Sequence, residues 1–510
     1  MENFFRFNSR RISFLIIILA CLGLALRLVG LTKGIWLDEF SSIAKISQGD
    51  LIANLRGYDH PPLYFVFLKL WYLVNTSEPF LRLFSVIWGV GTIIVVIKWI
   101  EGYSPLAGII SGICCAFMPA MLRFSQEIRG YSLLLFATAL SFYFASQIAK
   151  NPNKRSYYIG LTAGLTAAVA THLVGVMLLP TIFLFLLLSM PSRQKHHLLT
   201  FILHLVIPSV AFIVEYYFFM PPGVRARTAE TWWMPPVTGD RIGEVGAYLV
   251  GLPSIDWSFS VFEKFSVAAA FSAAAFLCLM FAIFAGSVLA GNWRRSYPLL
   301  IAALCYCVLV IGYSIFKVPI FGVRPLLPAL IPLIGFMGVQ VATIKIPKIQ
   351  IASIGALLVI SMNITFAWIT DKAWIPVEHT QDMAKTLQLW KHPHDTVMFY
   401  PFYFAGPIRY YYPDLPVEDE IGINIWTIPK ETERIKRIFQ ETSPSIVFLV
   451  ARCDPETENY QYIRRLLISE IGPETLVQGD NSLTITRYRK TKKDPSAQKK
   501  VRVNKLLLAK

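Results

Sequence analysis

The sequence predicts a polytopic α-helical membrane protein of about eleven transmembrane helices, with a small α/β domain outside the membrane near its C-terminal end. Three observations predict it. Of 510 residues, 55% are hydrophobic and only 16% charged, and mean hydropathy is +0.52. Apolar runs repeatedly reach the roughly 20 residues needed to cross hydrocarbon. After about residue 371 that character stops, and alternating strand and helix signals replace it.

The elements follow in order. Residues 1–11 are basic, and the apolar run behind them lacks a small-residue cleavage site. Residues 12–31 therefore read as a retained first helix and not a removed signal peptide. Apolar runs between charged or turn-rich punctuation place further helices at 80–99, 104–121, 131–149, 156–171, 173–190, 199–219, 262–290, 298–316, 323–344 and 350–370. Basic residues decide the sidedness. Arg6, Arg10 and Arg11 precede the first helix and Lys98 ends the second. Lys150, Lys154, Arg155, Arg193, Lys195, Arg294, Arg295, Lys345 and Lys348 border later ones. With the amino terminus in the cytoplasm, all of these fall on the inner face. An odd number of spans then puts the carboxyl terminus outside. The first outer loop, 32–79, carries a short interfacial helix near 48–56 and an amphipathic one over 63–74, too short to span.

Residues 1–370 thus form the transmembrane domain and 371–490 the external one. In the latter, 395–400, 445–450, 474–478 and 482–489 read as strands, and 430–441 and 456–470 as helices. No phosphate loop or nucleophile elbow appears among them. The formal charge of +16 comes mostly from inner loops and a basic tail, 491–510, with no nucleic-acid module beside it. It points to attraction to anionic lipid or to a disordered end, and nucleic acid is not an expected partner. Six of the seven cysteines lie in predicted membrane helices, leaving Cys453 alone outside, so no external intrachain disulfide is available.

The chemistry-bearing residues collect on the outer side. Asp38 and Glu39 follow Trp36 a few residues beyond the first span. Acids cost roughly 2.5–3.5 kcal/mol at mid-bilayer and much less at the interface, so a pair is tolerable there. It suits a base acting on a membrane-embedded substrate, or simply an interfacial loop. His60 precedes Pro61 and Pro62, where it is either a helix cap or a substrate contact. Arg82 opens the second span, snorkelling or binding an anion. Glu127 and Arg129 join the third and fourth spans; Arg129 either pairs internally or offers its fork of donors to phosphate oxygens. His172 lies at the turn between the fifth and sixth spans. Trp232 and Trp233, in the loop 221–260, belong to the interfacial belt or stack on sugar. Arg324 begins the tenth span, where a helix N-terminus already favours anions.

In order along the chain, WLDEF (36–40), DHPPLYF (59–65), EPFLRLFS (78–85), SQEIRGYSL (125–133), THL (171–173) and VRPLLPALIPL (323–333) resemble the GT-C glycosyltransferases. The likeness is greatest to the branch holding protein O-mannosyltransferases and lipid A aminoarabinose transferases, and it runs from the first helix to about residue 332. It implies a GT-C transmembrane fold and a sugar donor carried on polyprenyl phosphate. It also implies Asp38 as general base, with Glu39 as supporting acid or substrate contact. His60, Tyr64, Arg82, Glu127, Arg129, Tyr131, His172 and Arg324 become the candidate contacts to donor phosphate and substrate. Two departures stand out: Arg324 is followed by Pro325 where the family usually has tyrosine, and Leu173 replaces a tyrosine after His172.

The expected reaction is inverting sugar transfer at the extracytoplasmic face of a plasma membrane, to a glycan, lipid or protein hydroxyl. No cofactor is required, although a divalent metal on Asp38, Glu39 and His60 is an alternative. A transporter or flippase of a lipid-linked or anionic solute would use outer-face charges too, but calls for charges at mid-bilayer depth and paired broken segments. A scaffold subunit that has kept the fold without the chemistry is a third reading.

Overall fold

A computed structural model describes residues 9–47, 49–56, 60–220, 222–226, 234–249, 292–370, 380–415, 420–423, 428–452, 457–479 and 483–490, with 278, 282, 284 and 285. The chain divides into two compact units. The first comprises Met1–Lys33, Ser41–Ser254 and Lys264–Ile375; the second comprises Gly34–Phe40, Ile255–Glu263 and Pro376–Lys510.

Among the described residues, the regular structure of the first unit is helical. Its described elements are α1 (Ser9–Leu28), α2 (Leu37–Ser47, whose first residues belong to the second unit), α3 (Leu51–Leu55), α4 (Leu63–Tyr72), α5 (Glu78–Ile100), α6 (Pro105–Phe117) and α7 (Pro119–Arg123). There follow α8 (Tyr131–Lys150), α9 (Arg155–Thr171), α10 (Leu178–Ser189), α11 (His197–His204), α12 (Val206–Val214), α13 (Pro222–Arg225) and α14 (Gly239–Leu249). The unit ends with α15 (Tyr297–Phe316), α16 (Val323–Ala342) and α17 (Pro347–Thr370). Among the described residues, five helical stretches are long and apolar enough to cross a membrane unaided: Glu78–Ile100, Tyr131–Lys150, His197–Phe219, Tyr297–Phe316 and Val323–Ala342. The protein is therefore a polytopic membrane protein. The predicted span 262–290 lies outside the described residues apart from 278, 282, 284 and 285.

Prolines break spans that hydropathy reads as continuous. The third predicted span stops at Phe117, because Pro119 has no N–H for the Cys115 carbonyl and Met118 turns extended; α7 restarts the helix. The seventh divides at Leu205 for the same reason: Pro208 leaves the His204 carbonyl without a backbone donor, and Thr162 Oγ1 donates to it instead at 3.5 Å. That span ends in a π-helical turn, Glu215–Phe219. The sixth begins as a 3-10 turn, Leu173–Met177, ahead of α10. Where prolines do not intervene, ends follow ordinary capping: Ser104 accepts from Ala107 N at 3.1 Å, with Pro105 opening α6.

Among the described long spans the most enclosed is α16, buried over 83% of its apolar window against 17% for the stretch that holds α11 and α12. Packing on α16 is tight enough to require glycine. A Cβ on Gly338 would stand 2.1 Å from Ser111 Oγ and 2.7 Å from the Ala107 carbonyl.

Arg27 on α1 is fully buried and serves the break after α6. Its Nη2 donates to the Cys115 carbonyl at 3.0 Å, the acceptor that Pro119 orphaned, and its Nε donates to Ser125 Oγ at 2.8 Å. A cation at a helix C-terminus is also favoured by the helix dipole. Arg27→Met should lower stability by about 1–3 kcal/mol, because it strands these acceptors away from water. Thermal unfolding in detergent reads this out; a variant that melts with the wild type would overturn it.

The second unit is a five-stranded sheet flanked by helices. Its elements are α18 (Thr380–Trp390), β1 (Thr396–Tyr400), α19 (Ala405–Tyr411), β2 (Glu420–Gly422), α20 (Ile428–Thr442), β3 (Ile446–Arg452), α21 (Glu458–Glu470), β4 (Glu474–Gly479) and β5 (Leu483–Arg489). Strand order is β2-β1-β3-β5-β4, with β1 parallel to β2 and β3, and β5 antiparallel to β3 and β4. Strand β1 is buried along its whole length because both faces are covered. One face packs Ile435, Phe439, Ile463 and Leu467, and the other Met383, Leu387, Phe404 and Ile408. At the edge, Arg464 Nε donates to both Glu474 oxygens at 2.8 Å, and this pairing holds the Glu474 carboxyl below its ordinary range.

Candidate functional site

In the first unit, the polar residues singled out by sequence gather at the helix ends that alternation puts on one side. Arg82 lies one turn into α5, Arg129 just before α8, Tyr131 at its first position, His172 just after α9 and Arg324 in the first turn of α16. Residues 124–129 are all buried, and each polar side chain has a task. Ser125 receives Arg27, and Gln126 Nε2 caps the end of α1 through the Arg27 and Val29 carbonyls at 3.0 and 2.6 Å. Glu127 Oε1 accepts from Arg123 Nε at 3.2 Å, and Arg123 also bonds the Tyr248 hydroxyl of α14.

Arg129 is the hub. Its Nη2 lies 2.8 Å from His60 Nε2, and its Nη1 donates to Ser42 Oγ at 3.4 Å. A guanidinium can only donate, so His60 accepts at Nε2 and carries its proton on Nδ1. The His60 ring meets His172 edge-on at 5.4 Å between centroids, and His172 meets Tyr131 at 5.8 Å. His172 Nδ1 accepts from Val174 N at 3.3 Å, which caps the 3-10 turn. Arg324 stands over the Tyr131 ring, 5.8 Å from its centroid. Two cations, two imidazoles and a phenol thus form one chain of contacts.

Two of the predicted contacts support the cluster from behind. Tyr64 is fully buried, and its hydroxyl lies 3.2 Å from Ser85 Oγ, which in turn reaches the Arg129 carbonyl at 3.4 Å. Arg82, also fully buried, donates through Nη1 to the Leu31 and Lys33 carbonyls, both at 2.7 Å, fixing the way the chain leaves α1. Asp59, Trp232 and Trp233 lie outside the described residues.

Asp38 and Glu39 belong to the second unit, in the first turn of α2. Glu39 is fully buried and its Oε2 accepts from Trp36 N at 3.4 Å, an N-terminal capping contact; Asp38 is half-buried. Among the described residues, no three His, Cys, Asp or Glu side chains converge as a metal site.

Sequence reading missed Ser42, Ser85, Arg27 and Arg241. The last, buried in α14, donates from Nε and Nη2 to the Phe321 carbonyl at 3.0 and 2.8 Å, close to the start of α16. Arg27 alone carried a signal, a cation within an apolar run.

Comparison with known proteins agrees with this architecture. The family model for dolichyl-phosphate-mannose-protein mannosyltransferases matches residues 59–216. The crystal structure of ArnT from Cupriavidus metallidurans bound to undecaprenyl phosphate is similar at a TM-score of 0.55 and 14% identity, over 94% of this chain and 98% of that one. The Archaeoglobus fulgidus oligosaccharyltransferase tethered to an acceptor peptide is similar at a TM-score of 0.51 and 11% identity, over 91% and 71%. Arabinofuranosyltransferase AftD from Mycobacteria gives 0.50 and 12%, over 96% and 40%. All three are GT-C glycosyltransferases. No curated protein sequence matches the chain.

Proposed function

We propose that this chain, which has the GT-C glycosyltransferase fold, moves a sugar from a polyprenyl-phosphate donor to an acceptor hydroxyl at the extracytoplasmic face of the plasma membrane. The observation that carries the reading is the chain of contacts from Arg129 through His60, His172 and Tyr131 to Arg324, at one set of helix ends in an apolar bundle. A lipid phosphate is the ligand that such a place suits: its tail belongs in hydrocarbon and its anion needs fixed donors. The undecaprenyl phosphate bound to ArnT and the dolichyl-phosphate-mannose of the mannosyltransferase family that matches residues 59–216 support the same ligand class.

In the mechanism, Arg129 and Arg324 hold the donor phosphate, and His60 presents Nδ1–H to a phosphate or sugar oxygen. Asp38 takes the proton of the acceptor hydroxyl as its oxygen bonds to the anomeric carbon. The bond from that carbon to the phosphate oxygen breaks with its electron pair, polyprenyl phosphate leaves, and the anomeric configuration inverts. Ser42 of α2 accepts from Arg129 and so helps to hold the guanidinium of the phosphate clamp. The placement of basic residues supports a cytoplasmic amino terminus and an extracytoplasmic α/β unit.

The test is reconstitution of the full chain in vesicles with polyprenyl-phosphate-linked hexoses and pentoses and mixed hydroxyl acceptors. The expected result is free polyprenyl phosphate and a glycoside of inverted configuration, without nucleotide and with chelator present. Transbilayer movement of the intact lipid-linked sugar without cleavage would mark a flippase instead. Turnover abolished by chelator and restored by one divalent ion would give the acidic pair a metal to hold.

A further inference from the structure

The acidic pair is built into the α/β unit, although it lies more than three hundred residues earlier in the sequence. Residues 34–40 are pinned there at both ends. Upstream, Ile35 is bonded on both sides of its backbone: its N–H donates to the Tyr411 hydroxyl at 2.8 Å, and its carbonyl accepts from Thr380 Oγ1 at 2.7 Å. Ile35 and Thr380 are buried, so water competes little for the bond between them, and the bond to the half-buried Tyr411 is partly shielded. Downstream, the Phe40 ring packs against Gly406. A Cβ there would stand 2.3 Å from Phe40 Cε1 and 2.8 Å from Cζ, so a side chain at 406 would displace the ring from this seat. Tyr410 meets the same ring edge-on at 6.5 Å. Between the two anchors the helix starts, with Phe40 N donating to the Trp36 carbonyl at 2.9 Å.

The anchors sit at three defined places: Thr380 opens α18, Gly406 lies in the first turn of α19 and Tyr411 closes it. Both helices pack on the same face of the sheet, through Met383 and Leu387 of α18 and Ile408 of α19. Two helices packed on one face of the sheet thus hold the backbone on either side of Asp38 and Glu39, and a helix turn sets the pitch between them.

We infer that the α/β unit is the positioning device of the catalytic base, with Thr380, Gly406 and Tyr411 as positioning residues that aim Asp38 and keep Glu39 seated. The inference rests on the glycosyl-transfer reading above and goes beyond it, since it gives the soluble unit a part in the chemical step. A misplacement of about 1 Å in a reacting group costs on the order of 100-fold in rate, so small anchors carry large kinetic weight.

The experiment compares Thr380→Val, Thr380→Ser, Gly406→Leu and Tyr411→Phe with the wild type and with Asp38→Asn, in full-length protein. Measured for each are kcat, donor KM, binding of polyprenyl phosphate and melting temperature. Thr380→Val and Gly406→Leu should lower kcat roughly 10- to 100-fold with donor KM within about two-fold of wild type, and Tyr411→Phe less. Thr380→Ser keeps the hydroxyl and should retain most of kcat. A fall in kcat, lipid binding and melting temperature together, unrelieved by serine at 380, would mean a fold effect and overturn the inference. So would wild-type kcat in Thr380→Val and Gly406→Leu while Asp38→Asn is inactive. Full activity in Asp38→Asn would be a different failure, since it removes the base itself.

Discussion

Asp38→Asn should lower kcat by about 10²- to 10⁴-fold while leaving donor KM nearly unchanged. The substitution keeps the size and the single-turn position of the side chain at the start of α2. It removes only the capacity to take a proton, so the loss falls on the step in which the acceptor oxygen attacks. Glu39→Gln should behave differently. Glu39 is buried with its Oε2 on Trp36 N, and an amide oxygen can accept the same bond. Its effect should be smaller in kcat and visible in the stability of the α2 start. Steady-state kinetics with a polyprenyl-phosphate-linked sugar separates the two. An Asp38→Asn enzyme that turns over at the wild-type rate would remove the general-base assignment.

Much of the fold was legible because the bilayer imposes few patterns. Apolar length sets the spans, and the strands of the α/β unit fall where sequence expected them, within two residues for β1, β3, β4 and β5. The short β2 escaped, having only three residues. Pro119 and Pro208 were visible, yet hydropathy averages over a window and cannot see that one missing N–H stops a helix. The candidate site was legible as residue types at helix ends but not as partnerships. Arg82 reads as an interfacial cation, and only coordinates reveal its bonds to the Leu31 and Lys33 carbonyls. Arg27 serves carbonyls of Cys115 and Met121, nearly a hundred residues away; backbone acceptors leave no mark in a sequence. The seating of residues 34–40 on α18 and α19 is invisible for the same reason, since a hydroxyl, a glycine and a ring are common residues until they meet.

Arg129→Ala should reduce kcat/KM by roughly 10- to 150-fold, the value of a charge-assisted bond of about 1.5–3 kcal/mol removed from a buried place. Arg129 is only 4% exposed, so salt should screen the interaction weakly. The sharper variant is Arg129→Lys, which keeps the charge. A lysine offers one ammonium point where arginine spreads its fork over His60 and Ser42. If it reaches the phosphate it must release the imidazole, and His60 then loses the partner that fixes its proton on Nδ1. Arg129→Lys should therefore remain well below wild type, and inhibition by free polyprenyl phosphate should weaken in parallel, because that product keeps the phosphate and lacks the sugar. Should Arg129→Lys match wild type in both kcat/KM and product inhibition, the guanidinium fork would have no part in holding the donor. Should Arg129→Ala lose sugar transfer but bind polyprenyl phosphate normally, the arginine would act on the sugar or on Ser42 and α2, and Arg324 would be left as the cation for the phosphate.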